Sequence, residues 1–394
     1  MSDVNTSNQS WDPPASLDRV QSIALGVGVV GIALSALGYF SSSDQFFQSY
    51  LVSWVYWLAI GLGCLGWLMV QHLTGGTWSL VLRRTMEAGS RTIPLLFVLF
   101  LPFLFGMEAV YSWARPEAAD DALIQTKAAY LNVSFFWVRA AVYFVIWAVL
   151  AFLLSSNSQK QDETGDPKTT VRMRNISGPG IVLFVLAASF ACWDWLMSLD
   201  PHWFSSLYAF YFVSSTALAS LVFLTICAWY FKQRKPLDDV LVNRHFHDYG
   251  KLTLALTMFW AYMTLSQFLI TYSGNIPEFT TWYIVRNGGG WKNFTIPLVI
   301  FHFFVPFLIL LSASLKKQPS KLVVVALYMM VMRWVDLYWQ AAPTFRPEVS
   351  FHWLDAATML AVGGVWMFFF VRELKKRSLL PVNEPYLPEL TGHG

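Results

Sequence analysis

Ten mostly apolar runs follow one another along this chain, at about 20–40, 46–71, 94–113, 133–154, 179–199, 205–231, 250–272, 292–315, 321–342 and 352–372. A helix rising 1.5 Å per residue needs roughly 20 such residues to cross a ~30 Å hydrocarbon core. Inside lipid each backbone amide must be satisfied within its own segment, so runs of this length can only be helices. The expected fold is an all-α integral membrane protein with ten transmembrane helices. Composition agrees, with 56% hydrophobic residues, only 13% charged and a mean hydropathy of +0.46. Soluble domains carry about twice that charge. Aromatic residues reach 17%, which suits a protein lining two membrane–water interfaces. A soluble globule and a disordered chain are both excluded. The first run has no basic stretch before it and no small-residue cleavage site after it, so it reads as a true span and not a signal peptide.

Lysines and arginines set the direction of the spans. Arg115, Lys127, Arg286, Lys292 and Arg346 fall in the connections on one side, and Arg139 and Arg333 fall inside runs. The remainder of the 27 lie on the side that carries both termini. By the positive-inside rule both termini are expected in the cytoplasm. The net charge of +3 is too small to argue for nucleic acid, and no basic stripe is interleaved with stacking aromatics. Cys64, Cys192 and Cys227 lie far apart in apolar runs, which makes neither a disulfide framework nor a metal site. The chain contains no Cys-x-x-Cys-His for covalent haem, no phosphate-cradling Gly loop, no HExxH and no Gly-x-Ser-x-Gly.

Several connections carry patterns of their own. Residues 72–93 contain a Gly-Gly break and then a short amphipathic stretch with paired arginines, expected to lie on the cytoplasmic interface. Residues 155–178 are polar and contain Pro and Gly, so they read as a mobile linker between two groups of spans. The outer connections 108–132 and 273–292 are long for a compact bundle and suit contact surfaces.

Ionisable groups inside spans cost ~2.5–3.5 kcal/mol each at a helix centre, so each needs a reason. The candidates are Glu108, Arg139, Asp194, His302, Arg333, Asp336 and Asp355. All except His302 fall in the outer half of their spans, away from most of the positive charge. They read in two ways. Arg333 and Asp336, three residues apart on one helix face, can neutralise each other, and the set as a whole can be ion pairs that hold helices together. Alternatively, acids and arginines gathered at one depth form a site that exchanges protons with the outer aqueous phase. Hydroquinone oxidation needs such a site, where an acid or His takes the quinol proton and releases it outward.

The seventh run adds a polar stripe: Thr253, Thr257, Trp260, Thr264, Gln267 and Thr271, spaced 4, 3, 4, 3, 4 along one face. Asp248 and Lys251 stand at its cytoplasmic mouth. Interhelical hydrogen bonding, worth ~0.6 kcal/mol per bond, explains such a stripe. A hydrated half-channel carrying protons inward from the cytoplasm also explains it, with His302 or the Arg333/Asp336 pair as the next stop. Of the seven histidines only His302 is deep, which excludes a dihaem cytochrome b with paired axial imidazoles. His245 and His247, beside Asp248, sit on a cytoplasmic connection and read as solvated in preference to a metal clip.

Four stretches together resemble a known family: QHLTGGTWSLVLRRTMEA (71–88), WDWLMSLDPHWFSSLYAFYFVSS (193–215), SQFLITYSGNIPEFTTWYIVRNGGGW (266–291) and VDLYWQAAPTF with HWLDAATML (335–360). They resemble the NrfD-like, polysulfide-reductase-type membrane subunits of bacterial alternative complex III, a quinol:electron-acceptor oxidoreductase. The first two stretches and the modest length are most similar to the ActF-type branch. The resemblance covers roughly residues 70 to 360. It implies two four-helix bundles, at 46–199 and 205–342, flanked by a peripheral first span (20–45) and tenth span (352–372), with cytoplasmic tails at 1–19 and 373–394. It implies no redox centre in this chain. Electrons would leave through an iron–sulfur subunit and multihaem cytochrome c subunits on the outer face, beside an ActC-like membrane sibling, in the bacterial cytoplasmic membrane.

The expectation is therefore a scaffold and proton pathway within a quinol-oxidising complex. Asp194, His302, Arg333 and Asp336 form its centre, Glu108, Arg139 and Asp355 its outer exit, and Asp248, Lys251, Thr253, Thr257, Thr264 and Gln267 its cytoplasmic entrance. Two other readings stay open. In one the chain binds quinol itself through Glu108, Arg139, Asp194 or His302. In the other it is a secondary transporter, although Pro102, Pro297 and Pro306 have no matching Gly/Pro-broken counterparts.

Overall fold

The structure, a computed structural model, describes residues 11–385 and Leu387. Among these, ten helices are long and apolar enough to cross a membrane. They are α1 (Ser16–Ser41), α2 (Ser43–Thr74), α3 (Arg83–Phe105), α4 (Val133–Thr164), α5 (Lys168–Leu199), α6 (Leu207–Lys232), α7 (Asn243–Gly274), α8 (Trp291–Leu311), α9 (Pro319–Phe345) and α10 (Trp353–Leu374). The described residues contain no strand. The terminal segments meet, with the Leu379 amide donating to the Trp11 carbonyl at 2.8 Å, as an even number of crossings requires. That side is the terminal face, and the other is the distal face.

Small residues decide how the helices pack. The inward face of α1 is Ala24, Gly28, Gly31, Ser35 and Gly38, while Ile23, Val29, Val30, Ile32 and Leu37 point out. Lipid is as apolar as leucine, so close backbone approach, not aliphatic burial, joins helices here. The α1–α10 contact is the most extensive in the molecule. A Cβ on Gly31 would come within 2.3 Å of the Ala361 amide nitrogen, and one on Gly364 within 2.3 Å of the Gly28 nitrogen. Centrally, α2 touches α3, α5, α6 and α10, and α6 touches α2, α5, α7 and α9. A Cβ on Gly63 of α2 would meet Ser220 Oγ of α6 at 2.0 Å.

Three expectations are corrected. The arginine-bearing part of segment 72–93 is not a surface helix. α2 ends at Gly75 and Gly76, whose φ angles of +65° and +88° favour glycine, but every residue of Arg83–Ser90 is buried. The arginines enter because their counter-charges enter with them: Glu87 lies 3.3 Å from Arg83 Nε and 2.7 Å from Arg84 Nη1. Glu384 pairs with Arg83 at 2.5 Å, and Asp162 pairs with Arg84. Second, α3 starts earlier and ends earlier than the apolar run. Its last turn, Leu101–Phe105, is a 3₁₀ helix opened by Pro102, and Glu108 therefore lies beyond the span with an exposed side chain. Third, residues 155–178 are no linker. α4 continues to Thr164 and α5 begins at Lys168. The polar extension of α4 is covered by the C-terminal segment, where Arg377 donates to the Ser155 carbonyl and Gln159 Oε1, both at 2.9 Å, and Asn383 to the Asp162 carbonyl at 2.8 Å. Of the tails, residues 1–10, 386 and 388–394 lie outside the described residues.

The small-residue interface makes a matched pair of variants informative. Gly31→Leu must push α1 off the α10 backbone, with an expected loss of about 1–3 kcal/mol. Gly26→Leu meets no atom within 4 Å and should leave stability unchanged. Thermal unfolding of the purified protein, followed by size-exclusion fluorescence, separates the two.

Candidate functional site

Four helices converge on Asp336. Arg333 and Asp336 stand one turn apart on α9, so their side chains share a face. Arg333 Nη1 donates to Asp336 Oδ2 at 2.7 Å. Tyr211 of α6 donates its hydroxyl to the same carboxylate, 2.5 and 2.6 Å from its two oxygens. Gln340, one further turn along α9, donates to Asp336 Oδ2 at 3.0 Å and to the Tyr211 hydroxyl at 2.8 Å. Trp260 of α7 donates to that hydroxyl at 3.1 Å. Tyr208 closes the network by donating to Gln340 Oε1 at 3.0 Å. Asp336 is fully buried. Its charge is compensated by the guanidinium and its lone pairs by three donors, which is the condition for keeping a carboxylate in a low-dielectric interior.

His302 joins this network from α8. Pro297 and Pro306 bracket it, each removing an N–H from the helical ladder, and residues Ile300–Phe304 form a π turn. His302 Nε2 lies 3.1 Å from Arg333 Nη1, and its ring packs against Trp260, tilted by 33° with centroids 4.0 Å apart. Arginine can only donate, so this contact makes Nε2 the acceptor and puts the imidazole proton on Nδ1. Nδ1 of His302 and Nε of Arg333 are both buried without a partner. The cluster thus holds one fully satisfied carboxylate and two donors with spare capacity. A proton arriving at Nε2 would displace Arg333, so the imidazole and the ion pair cannot change state independently.

A second cluster sits near the distal ends of α4 and α5. Arg139 grips Asp194 through two parallel bonds of 2.8 and 2.9 Å, and Tyr143 donates to Asp194 Oδ2 at 2.8 Å. The remaining Arg139 nitrogen donates to the Tyr130 carbonyl at 2.7 Å, and the guanidinium lies 3.8 Å over the Tyr130 ring. A third cluster pins the start of α10. Asp355 receives Arg346 through two bonds of 2.8 Å, Ser49 Oγ at 2.6 Å and the His352 amide at 2.9 Å.

The structure therefore brings Arg333, Asp336 and His302 together. It places Arg139–Asp194 and Arg346–Asp355 in separate pairs near the distal ends of their helices, and it leaves Glu108 exposed beyond the span. The α7 stripe leads to the central cluster through Trp260. Thr253, Thr257 and Thr264 donate their hydroxyls to carbonyls one turn back, at 2.8, 2.8 and 2.9 Å. Gln267 accepts from Ser205 at 2.5 Å. Asp248 and Lys251 lie 3.5 Å apart and partly exposed at the terminal face. No titratable side chain belongs to the stripe between Lys251 and Trp260, about 14 Å along the axis. His245 is buried on α7, accepting from the Val242 amide at 3.2 Å through Nδ1, and is not a solvated loop residue.

Tyr211, Gln340, Tyr143, Ser49 and Arg346 were not singled out from the sequence. Gln340 was readable, since it follows Asp336 by four. The tyrosines were not, because an aromatic ring in a span carries no mark of which way its hydroxyl points. Among the described residues, no three His, Cys, Asp or Glu side chains gather to hold a metal ion. No protein-family model matches the chain, and no curated protein matches it either.

The bidentate pair predicts a non-additive pattern. Arg139→Gln alone leaves Asp194 buried and uncompensated, an expected cost of about 3–5 kcal/mol. The double variant Arg139→Gln/Asp194→Asn removes both charges and should cost less than Arg139→Gln alone. Unfolding of the four proteins in one detergent checks this, and additive losses would show that the two residues are not coupled.

Proposed function

We propose that this chain is a membrane subunit of a quinol:cytochrome c oxidoreductase, or one with another periplasmic acceptor, of the alternative complex III type. Its roles are scaffold and proton-translocation pathway, without a redox centre of its own. The observation that carries the reading is the buried Arg333–Asp336–His302 network, an acid and a base joined by one guanidinium in the middle and distal half of the spans. A purely structural ion pair has no use for an imidazole with an unpartnered Nδ1 beside it. The motif resemblance supplies the kind of complex.

In this reading α2–α5 and α6–α9 are two four-helix bundles, with α1 and α10 outside them. Both termini face the cytoplasm of a bacterial cell. Protons enter near Asp248 and Lys251, pass along Thr253 and Thr257 to Trp260 and His302, and reach Asp336. The water needed between these groups is ordered by the stripe's hydroxyl oxygens, each of which keeps a lone pair after donating to the backbone. Arg139, Asp194 and Asp355 stand at the exit depth, and Glu108 at the outer surface. The long distal connections dock an iron–sulfur subunit and multihaem cytochrome c subunits, with an ActC-like sibling alongside in the membrane holding the quinol.

Mild-detergent purification of the tagged chain from its native membrane tests the assignment. The expected result is an iron–sulfur protein and c-type haem absorbance in stoichiometric amount. A colourless chain purifying alone would remove the complex from the account. Within an assembled complex, Asp336→Asn removes the charge at nearly unchanged side-chain size and keeps one accepting oxygen. It should leave subunit composition intact and lower proton translocation in proteoliposomes by at least tenfold, the loss expected for a required proton-transfer group. Normal translocation would exclude Asp336 from the path.

A further inference from the structure

Every other arginine buried in the distal half has a carboxylate: Arg139 has Asp194, Arg333 has Asp336 and Arg346 has Asp355. Arg286, in the connection between α7 and α8, is 2% exposed and pairs with no carboxylate among the described residues. Its Nη1 donates to the Trp282 carbonyl at 2.9 Å, and its Nη2 donates to the Gln340 carbonyl. The guanidinium lies 3.5 Å over the Trp282 ring. Nε–H is buried without a partner. Burial pulls this arginine down to about 10, and the Asp200 carboxylate, which opposes that shift, acts from beyond ion-pair distance. Two carbonyls and a ring face solvate the group, but among the described residues no carboxylate forms an ion pair with it.

Arg286 lines a cavity of about 360 Å³ between α7 and α8, together with Thr264, Phe268, Thr295, Val299 and Phe303. Leu265, Phe268 and Phe304 on its wall are 56%, 42% and 49% exposed on the apolar belt, so the cavity opens toward the bilayer. Its upper end, at Arg286 and Asn287, belongs to a connection at the distal interface, and its lower end reaches Trp260 within the span. A ligand that fills it therefore has a charged or polar head at interface depth and an apolar tail below.

We infer that this cavity binds an anionic membrane phospholipid, with its phosphate against Arg286 and one acyl chain lying between α7 and α8. A phosphate supplies a close ion-pair partner, which Asp200 does not, and an acceptor for Nε–H at the depth where lipid phosphates reside. A neutral quinone head would leave the guanidinium without a close ion-pair partner. Through the Gln340 carbonyl the bound head stands one residue's length from the Asp336 network. The inference rests on the membrane-spanning fold and not on the proton-pathway reading, so either can fail alone.

Native mass spectrometry of the full chain tests it, after reconstitution in nanodiscs of phosphatidylcholine and phosphatidylglycerol. The expected result is selective retention of phosphatidylglycerol. Arg286→Gln should lower that retention about tenfold or more, the effect of losing a charge-assisted contact, and Arg286→Lys should lower it less. Leu265→Trp obstructs the opening while leaving Arg286 in place, so it decides the matter if Arg286→Gln fails to fold; it too should reduce retention. Equal retention of both lipids, or unchanged retention in Leu265→Trp and Arg286→Gln, would overturn the inference. So would full displacement by inorganic phosphate, which marks a free-phosphate site, or azido-quinone labelling of the cavity with no phospholipid retained.

Discussion

A charge that enters the hydrocarbon region has to bring its counter-charge, and the rest of this molecule is arranged around that requirement. Moving a lone carboxylate or guanidinium out of water costs several kcal/mol even after the protein relaxes, and good pair geometry offsets it only when the remaining lone pairs are also bonded. Asp194, Asp336 and Asp355 each meet both conditions, through an arginine and through at least one neutral donor. At the terminal face the same rule lets Arg83 and Arg84 enter the helical mass, because Glu87, Asp162 and Glu384 close around them. Arg139–Asp194, Arg83–Glu384 and Arg84–Asp162 also join separate parts of the chain, so there charge neutrality and helix arrangement become one constraint.

The pairs are not equivalent. Arg139 and Asp194 make a closed fork whose arginine ends on a carbonyl and an aromatic ring, an arrangement with one low-energy state. Arg333 is shared between Asp336 and His302 and keeps an unpartnered Nε–H. A guanidinium with two partners of different basicity can shift toward either, and such bistability is what a proton switch requires. Placing His302 on a π turn between two prolines gives the imidazole a position that a regular helix would not offer. In the reading proposed here, the Arg139–Asp194 fork fixes the distal ends of α4 and α5, and the Arg333–Asp336–His302 network works.

Much of this was legible in the residues. The ten spans follow from run length alone, and the Arg333/Asp336 pairing follows from i, i+3 spacing. The position of Arg139, Asp194 and Asp355 near the distal ends of their helices follows from counting residues along each run. Other features were not legible, for definite reasons. The arginine-rich stretch 83–90 looks like a surface helix because its neutralising partners Asp162 and Glu384 lie far off in sequence. Residues 155–178 look like a linker because a polar helix covered by the chain's own C-terminal segment has no apolar stripe to betray it. Glu108 looks intramembrane because Pro102 and Gly106 end α3 inside an apolar run. Arg286 was counted only as a loop charge, since the lack of a close ion-pair partner is a property of three dimensions.

The central claim is that Asp336 changes protonation or hydrogen bonding together with His302 during turnover. Infrared difference spectroscopy of the assembled, reconstituted complex, recorded as quinol is added, tests it most directly. The account predicts a carboxyl or carboxylate band that disappears in Asp336→Asn and shifts in His302→Gln, while the Asp194 bands stay silent. A difference spectrum identical in wild type and Asp336→Asn would mean that the central ion pair is as inert as the Arg139–Asp194 fork, and that protons travel elsewhere.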